Sequence, residues 1–194
     1  MIQTTIYLAS QSPRRVQLLE ESGFSFKQLK INVEEKYPDE LPSEKIAAYL
    51  ANLKAEAAAH LFSELRPILT ADSIVIQNGK VLEKPSNRTD AFEMLKELSG
   101  KTHFVDTGFS IVTDETTITN SVRSKVYMST LSEEEINYYI DHYNPYDKAG
   151  SYGIQEWIGH CKISKIEGSY TNIMGLPMKE VYDAFRQIDR RIKN

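Results

Sequence analysis

Two arginines near the start of the chain follow a serine-rich segment, a pattern typical of a phosphate-binding site. Ser10 and Ser12 end a short apolar run, and Pro13 precedes Arg14 and Arg15. Because Ser12 is a favourable N-cap and proline is favourable at the first helical position, both arginines are predicted in the first turn of a helix. Cations are disfavoured there, since free N–H groups and the macrodipole already present positive charge. A bound anion would account for the arginines; a solvated pair on an ordinary helix is the alternative.

An aspartate interrupts an apolar predicted strand. Asp72 lies within residues 68–76, and strand alternation puts it on the same face as Thr70 and Ile74. A carboxylate in that setting is unfavourable unless it is paired, bound to a metal or catalytic. The pattern favours a functional role, with an aspartate that hydrogen-bonds the backbone at a strand bend as the alternative.

A hairpin brings a lysine back to the level of this aspartate. Asn78-Gly79 is a strong signal for a two-residue turn between paired strands. Pairing about this turn would place Lys84 near Asp72 and Ser73. Lys84 and Asp72 would then belong to one active site or form a simple salt bridge.

Two adjacent glutamates add carboxylates on a polar loop. Glu34 and Glu35 could supply one oxygen ligand that joins Asp72 in binding a divalent cation, although adjacent acids in loops are usually only solvated. Lys54 lies beside the apolar face of a predicted long helix, where a lysine snorkelling at the helix edge is the simplest interpretation.

A glycine-rich segment, residues 149–155, ends in Gln155. Glycines allow the backbone to approach a ligand closely, and an amide offers the donor and acceptor that match the Watson–Crick edge of a base. A surface glutamine in a turn is the alternative. The four histidines show no metal-ligand spacing, and Cys161 lies in a predicted strand without an activating neighbour.

Strands and helices alternate along the chain, together with a hairpin and a long strand pair at residues 103–112 and 118–128. This order predicts an α/β protein with a mixed sheet, and 194 residues favour one domain or two closely joined lobes. Residues 24–33 are predicted as a further strand. A long helix is predicted from Ser43 with this apolar face: Ile46, Leu50, Leu53, Ala57 and Leu61.

Composition narrows the function classes. The formal net charge of -4 argues against a general nucleic-acid binder, which usually carries a basic excess. One cysteine excludes an internal disulfide framework and fits a reducing compartment. The start of the chain lacks a signal-peptide pattern, and no apolar stretch reaches the length of a membrane span. We therefore expect a cytoplasmic protein without nucleic-acid or membrane partners.

The opening pattern Ser-x-Ser-Pro-Arg-Arg-x-x-Leu-Leu resembles the first signature of the Maf family of nucleotide pyrophosphatases. Four later stretches fit the same family in order, so the resemblance runs from near residue 8 to near residue 178. These stretches are Ala71-Asp72-Ser73, Leu82-Glu83-Lys84-Pro85, residues 147–155, and Gly168-Ser169-Tyr170 to Gly175-Leu176-Pro177.

The resemblance implies a single domain over residues 1–194, with a mixed sheet flanked by helices in two lobes around a nucleotide-binding cleft, as in Maf and ITPase proteins. It implies a divalent metal, Mg²⁺ or Mn²⁺, held by Glu35 and Asp72. It also implies that Asp72 is catalytic, as base towards water, metal ligand or both. Substrate-binding or specificity roles fall on Ser10, Ser12, Arg14, Arg15, Lys54, Ser73, Lys84 and Gln155.

Three features resemble the subgroup that acts on dTTP and UTP rather than on methylated GTP: Arg14-Arg15, a hydroxyl at Ser73, and Gly153-Ile154-Gln155. The implied function is hydrolysis of dTTP and UTP to the monophosphate and pyrophosphate. Removal of non-standard nucleotides, a link to arrest of cell division and a homodimer are compatible with it. The alternative is a non-catalytic nucleotide-binding regulator of septum formation.

Overall fold

One mixed sheet runs through the computed structural model, which describes Ile2 and residues 4–192. The described strands are β1 (Ile6–Leu8), β2 (Phe26–Gln28), β3 (Ile68–Gln77), β4 (Lys80–Leu82), β5 (Thr102–Val112), β6 (Thr117–Met128) and β7 (Ile163–Glu167). They follow the order β2-β1-β3-β5-β6-β7, and β4 pairs with β3 off this path. β2 and β3 lie parallel to β1, whereas β4 is antiparallel to β3 and β7 to β6. The predicted mixed sheet is confirmed.

Helices flank this sheet, and two short 3₁₀ turns, Pro145–Asp147 and Ala149–Ser151, precede the fifth helix. The described α-helices are α1 (Pro13–Glu21), α2 (Ser43–Leu61), α3 (Arg88–Leu98), α4 (Glu133–Tyr143), α5 (Trp157–Cys161), α6 (Tyr170–Met174) and α7 (Met178–Ile192). None of these is both long enough and apolar enough to cross a membrane.

The chain divides into two compact units, and the division falls inside three strands. The first unit contains the chain up to Asp72, Thr107–Val122 and the chain from Gly175 onwards. The second contains Ser73–Asp106 and Arg123–Met174. The boundary on β3 therefore separates Asp72 from its neighbour Ser73. The arrangement of two lobes around a cleft stays a prediction.

The core of the first unit depends on small side chains where α2 meets the sheet. Ala55 and Ala58 are fully buried and pack with Ala9, Ile68 and Val112 in one apolar cluster. Burial of this continuous apolar surface is the main favourable contribution to folding.

The buried stripe of α2 corrects the apolar face predicted from the sequence. Ile46 and Leu50 are buried as predicted, whereas Leu61 is 63% exposed and the other buried residues of the stripe are alanines. A Cβ atom on Gly108 of β5 would stand 2.2 Å from the carbonyl oxygen of Ala47, so only glycine at position 108 permits this close approach of the helix. The buried positions of α2 are Ile46, Ala47, Leu50, Ala51, Ala55 and Ala58.

Two predicted strands differ from those in the structure. The strand predicted over residues 24–33 is limited to β2, because β2 lies at the edge of the described sheet and pairs there with β1, which offers three residues. Cys161 ends α5 instead of lying in a strand, because the Lys162 amide continues the helical pattern with a bond to the Ile158 carbonyl.

Candidate active site

The first turn of α1 has the predicted form. Ser12 is the N-cap and Pro13 the first helical residue. Within the described residues, the Ser12 side chain makes no capping hydrogen bond, and this turn contains no acidic residue. A helix start that lacks its own capping oxygen and negative charge is suited to a bound anion.

Arg15 is fixed by groups on both sides. Its Nε donates to the carbonyl oxygen of Gly175 at 2.8 Å, and its Nη1 donates to Ser10 Oγ at 3.1 Å. Ser10 is itself buried; its Oγ also accepts from the Ser12 amide at 3.3 Å, and its carbonyl accepts from Gln28 Nε2 at 2.7 Å. The guanidinium is therefore oriented before any ligand arrives.

Burial and three nearby charges change the pKa of the Arg15 guanidinium. Burial lowers the pKa of the Arg15 guanidinium, and the Asp72 carboxylate opposes this shift. The charge of Arg14 lowers the pKa of Arg15 further, and Glu35 opposes it. A desolvated guanidinium of this kind interacts more strongly with a phosphate than a solvated one.

Lys54 forms ion pairs with two carboxylates. Its Nζ lies 2.8 Å from Glu35 Oε1 and donates to Asp72 Oδ1. The side chains of Lys54 and Asp72 are 12% and 9% exposed, whereas that of Glu35 is 44% exposed. The cation that compensates buried Asp72 is thus Lys54, where the hairpin pattern had suggested Lys84. The same contacts replace the simple interpretation of Lys54 as a snorkelling lysine.

The register of α2 on β3 explains this ion pair. The Thr70 hydroxyl donates to the Ala51 carbonyl at 2.7 Å. Lys54 lies three residues after Ala51 on the helix, and Asp72 lies two residues after Thr70 on the strand. Lys54 therefore lies on the same helix face as Ala51, and Asp72 on the same strand face as Thr70. The close approach of α2 at Gly108 keeps the helix in this position.

Glu35 and Asp72 could hold a divalent cation together with the substrate. Both bring carboxylate oxygens to one cationic atom, the Lys54 Nζ. Across Ile2 and residues 4–192, no group of three or more His, Cys, Asp or Glu side chains could hold a metal. Mg²⁺ commonly takes one or two carboxylates and completes its shell with water and phosphate oxygens. The two residues fit that chemistry.

The second unit contains Ser73, Lys84 and Gln155. Val75 pairs with Leu82 and Gln77 with Lys80, as expected for the predicted hairpin. Continuing this register by two residues puts exposed Lys84 opposite Ser73, just beyond the last ladder pair.

Gln155 occupies the third position of a turn, Gly153–Glu156, here called the Gln155 turn. The Glu156 amide closes it by donating to the Gly153 carbonyl at 3.1 Å. Gln155 Oε1 is buried and has no hydrogen-bond partner among the described residues. A buried acceptor without a donor is unfavourable by about 1–3 kcal/mol, and a bound ligand could supply the donor.

The segment before the Gln155 turn is tied to the lysine hairpin. The Gly150 amide donates to the Glu83 carbonyl at 3.2 Å, one residue before Lys84. Gly150 and Ser151 both have left-handed backbones, with φ of 69° and 61°, and a Cβ on Gly150 would press on Val75 at 3.0 Å. The second unit thus holds the lysine and glutamine segments together.

The structure therefore brings predicted residues together in two groups, one in each unit. Sequence reasoning missed the Gly175 carbonyl that holds Arg15. The Gly175-Leu176-Pro177 pattern signals this segment, but the pattern alone does not say what its carbonyl binds. The first group is Ser10, Arg15, Glu35, Lys54 and Asp72.

Comparison with known proteins places the chain in a family. Residues 5–188 match the family described as Maf-like protein. A dTTP/UTP pyrophosphatase of Bacteroides fragilis (strain YCH46) is 45% identical over 184 residues, which cover 94% of this chain and 95% of the relative. A dTTP/UTP pyrophosphatase of Porphyromonas gingivalis (strain ATCC 33277) is 46% identical over 184 residues, covering 93% and 92%.

Among solved structures, the Staphylococcus aureus Ham1 protein is similar at 14% identity and a TM-score of 0.44, covering 67% of this chain and 73% of that chain. The family match spans nearly the whole chain, and the curated relatives share almost half of its residues over more than nine tenths of their own length. The chain belongs to the Maf-like protein family.

Proposed function

We propose that the protein hydrolyses dTTP and UTP to the nucleoside monophosphate and pyrophosphate. The observation that carries the proposal is the buried Asp72 carboxylate, held by Lys54 beside Glu35 in the unit that also orients Arg15. Its curated relatives are named dTTP/UTP pyrophosphatases, which supports the same reaction.

The reaction needs positive charge on the phosphates and an oriented water. We assign the charge to Arg14, Arg15, Lys54 and Lys84. Water adds to phosphorus at the α–β anhydride, the bridging P–O bond breaks, and pyrophosphate leaves. With Oδ1 of Asp72 engaged by Lys54, we assign Oδ2 as the oxygen that orients the water and accepts its proton.

A divalent cation belongs to this proposal, with Glu35 and Asp72 as its protein ligands. When bound, Mg²⁺ or Mn²⁺ would supply positive charge that stabilises the charge developing on the leaving pyrophosphate. Substrate oxygens would complete its shell, since two carboxylates alone leave most of the coordination sites to other ligands.

Base choice is assigned to Gln155. Uracil and thymine present an N3–H donor between two carbonyl acceptors. The buried Oε1 of Gln155, which lacks a partner in the described chain, would accept from N3–H, and Nε2 would donate to a neighbouring carbonyl. Cytosine has no proton on N3 and would leave this acceptor unpaired, and mismatches of this kind discriminate strongly. One methyl group is worth only about 1–3 kcal/mol, so UTP and dTTP should both be accepted.

A cytoplasmic location belongs to the same proposal. Cys161 is a free, exposed thiol, and thiols stay reduced in the cytoplasm.

Pyrophosphate release from dTTP, UTP, CTP and methylated GTP, with Mg²⁺ or Mn²⁺, tests the proposal. We expect turnover of dTTP and UTP and poor turnover of CTP. In Gln155→Ala we expect a smaller difference in turnover between CTP and the other two pyrimidine nucleotides. Gln187→Ala, an exposed glutamine on α7, is the matched control. Nucleotide binding without pyrophosphate release would favour the non-catalytic regulator, and a preference for methylated GTP would overturn the substrate assignment.

A further inference from the structure

The phenol of Tyr139 joins the two ends of the Gln155 turn. Tyr139 lies on α4 and is fully buried. Its hydroxyl oxygen accepts from the Gly153 amide at 2.9 Å, and its proton is donated to Glu156 Oε2. One side chain therefore contacts the first and last residues of a four-residue turn.

The Glu156 carboxylate is held in turn by a buried lysine. Lys148 Nζ lies 3.1 Å from Glu156 Oε1 and 2.8 Å from Asp147 Oδ1. This ion pair holds the Glu156 carboxylate beside the phenol of Tyr139. Burial, with the hydrogen bond to Glu156, raises the pKa of Tyr139, so the phenol remains a donor at any working pH.

The two ends of the turn are in close contact. A Cβ atom on Gly153 would stand 2.7 Å from the Glu156 carboxylate carbon. Only glycine leaves room for the carboxylate to reach the phenol beside it. Gln155 lies between these fixed ends, so the Tyr139 contacts limit the directions in which its amide can point.

We propose that Tyr139 is a positioning residue for base selection, which acts through Gly153 and Glu156 to hold the Gln155 amide towards the pyrimidine. This inference rests on the proposed function. Without the phenol, the turn keeps its main-chain hydrogen bond but loses the bridge across its ends. The amide then has to be ordered when the base binds, and binding of the matching base weakens.

Tyr139→Phe tests this role because it removes only the hydroxyl. The ring keeps its stacking on Tyr143, with centroids 5.0 Å apart. We expect the ratio of kcat/KM for UTP to that for CTP to fall about tenfold, the size expected for one or two lost hydrogen bonds, mainly through KM for UTP. Tyr138→Phe, the exposed neighbour on α4, should keep the wild-type ratio.

Calorimetric binding of α,β-methylene analogues of UTP and CTP repeats the comparison without turnover. An equal loss for both bases in Tyr139→Phe would show a merely structural role and overturn the inference, as would an unchanged ratio. Glu156→Ala removes the other end of the bridge and provides the test if Tyr139→Phe does not fold. An unchanged ratio of kcat/KM for UTP to that for CTP in Glu156→Ala would also contradict the inference. A wild type that does not prefer UTP to CTP overturns the proposed substrate itself, and this inference with it.

Discussion

Arg15 Nε donates a hydrogen bond to the carbonyl oxygen of Gly175, 2.8 Å away and 160 residues later in the chain. Ser10 Oγ accepts from the same guanidinium. A planar fork held at Nε and Nη1 has a fixed direction, which a flexible ammonium would not have. Under the proposed function, this contact makes the segment around Gly175 a support for the arginine assigned to the phosphates.

We expect Arg15→Lys to lower kcat/KM for every nucleotide by a similar factor, about tenfold or more, because it keeps the charge but loses the fork. Steady-state pyrophosphate release across the nucleotide panel measures this. Lys84→Ala should act in the same direction, since its assigned role is also on the phosphates. Arg186→Lys on the exposed side of α7 is the control. Loss confined to one base would contradict both assignments.

For Asp72→Asn we expect turnover to fall about a hundredfold or more, the scale of a lost general base. The amide keeps the shape of the side chain and can still accept from Lys54 through its oxygen, so the fold should survive. Single-turnover kinetics and circular dichroism separate the two effects, with Asp114→Asn in an exposed turn as the matched control. Near-normal turnover would remove Asp72 from the mechanism.

Lys54→Met separates ion pairing from metal binding. Removing the ammonium leaves Glu35 and Asp72 without their shared cation. We expect the variant to bind Mn²⁺ more tightly in the absence of nucleotide, about tenfold by electron paramagnetic resonance. We also expect the metal-free form to lose about 3 kcal/mol of stability, as when one partner of a buried ion pair is removed.

Lys45→Met, an exposed lysine on the same helix, is the control for Lys54→Met. Weaker Mn²⁺ binding in Lys54→Met than in the control would argue against Glu35 and Asp72 as the metal ligands. Stability restored by Mn²⁺ would support the assignment, because the metal would then replace the missing ammonium.

Local sequence signals predicted the parts of the fold that depend on neighbours in the chain. Ser132 and Glu135 form the predicted capping box of α4, and Asn78-Gly79 adopts the left-handed turn of the predicted hairpin. Ser12 and Pro13 occupy the predicted first positions of α1, although the Ser12 side chain makes no capping hydrogen bond within the described residues. Each of these features is complete within a few residues, so its energetics can be judged from the sequence.

Contacts between distant segments were not predictable in this way. Ile46 and Leu50 are buried as predicted, but nothing near Leu61 in the sequence shows that α2 approaches Gly108 closely, so the alanine part of the buried face was missed. Lys54 reaches Asp72 only because α2 lies at one register on β3. Arg15 is held by a carbonyl near the far end of the chain. The family resemblance named candidate site residues, whose roles stay predictions, but it did not say which groups hold their side chains.

His103 makes the folding stability depend on pH, through contacts in the second unit. Its Nε2 lies 2.7 Å from the hydroxyl of Tyr152, and the two rings meet edge to face with centroids 5.5 Å apart. Burial raises the pKa of Tyr152, so the phenol keeps its proton. Burial also lowers the pKa of His103 to about 4, so folding keeps this imidazole neutral.

Acid lowers the folding stability because His103 binds a proton more readily in the unfolded chain than in the folded one. An exposed histidine in the unfolded chain titrates near pH 6.5, whereas folded His103 titrates near pH 4. Between these values the unfolded chain binds the proton and the folded chain does not. The stability contribution is therefore complete above about pH 6.5 and falls as the pH drops towards 4, by about 3 kcal/mol over the window.

Urea unfolding at a series of pH values from 7.5 to 4.5 measures this window. We expect His103→Gln to flatten the dependence of unfolding free energy on pH, whatever its effect on stability at pH 7.5, because glutamine does not titrate. His142→Gln, which changes an exposed histidine on α4, should keep the wild-type slope. A wild-type slope in His103→Gln would show that other groups control the acid sensitivity.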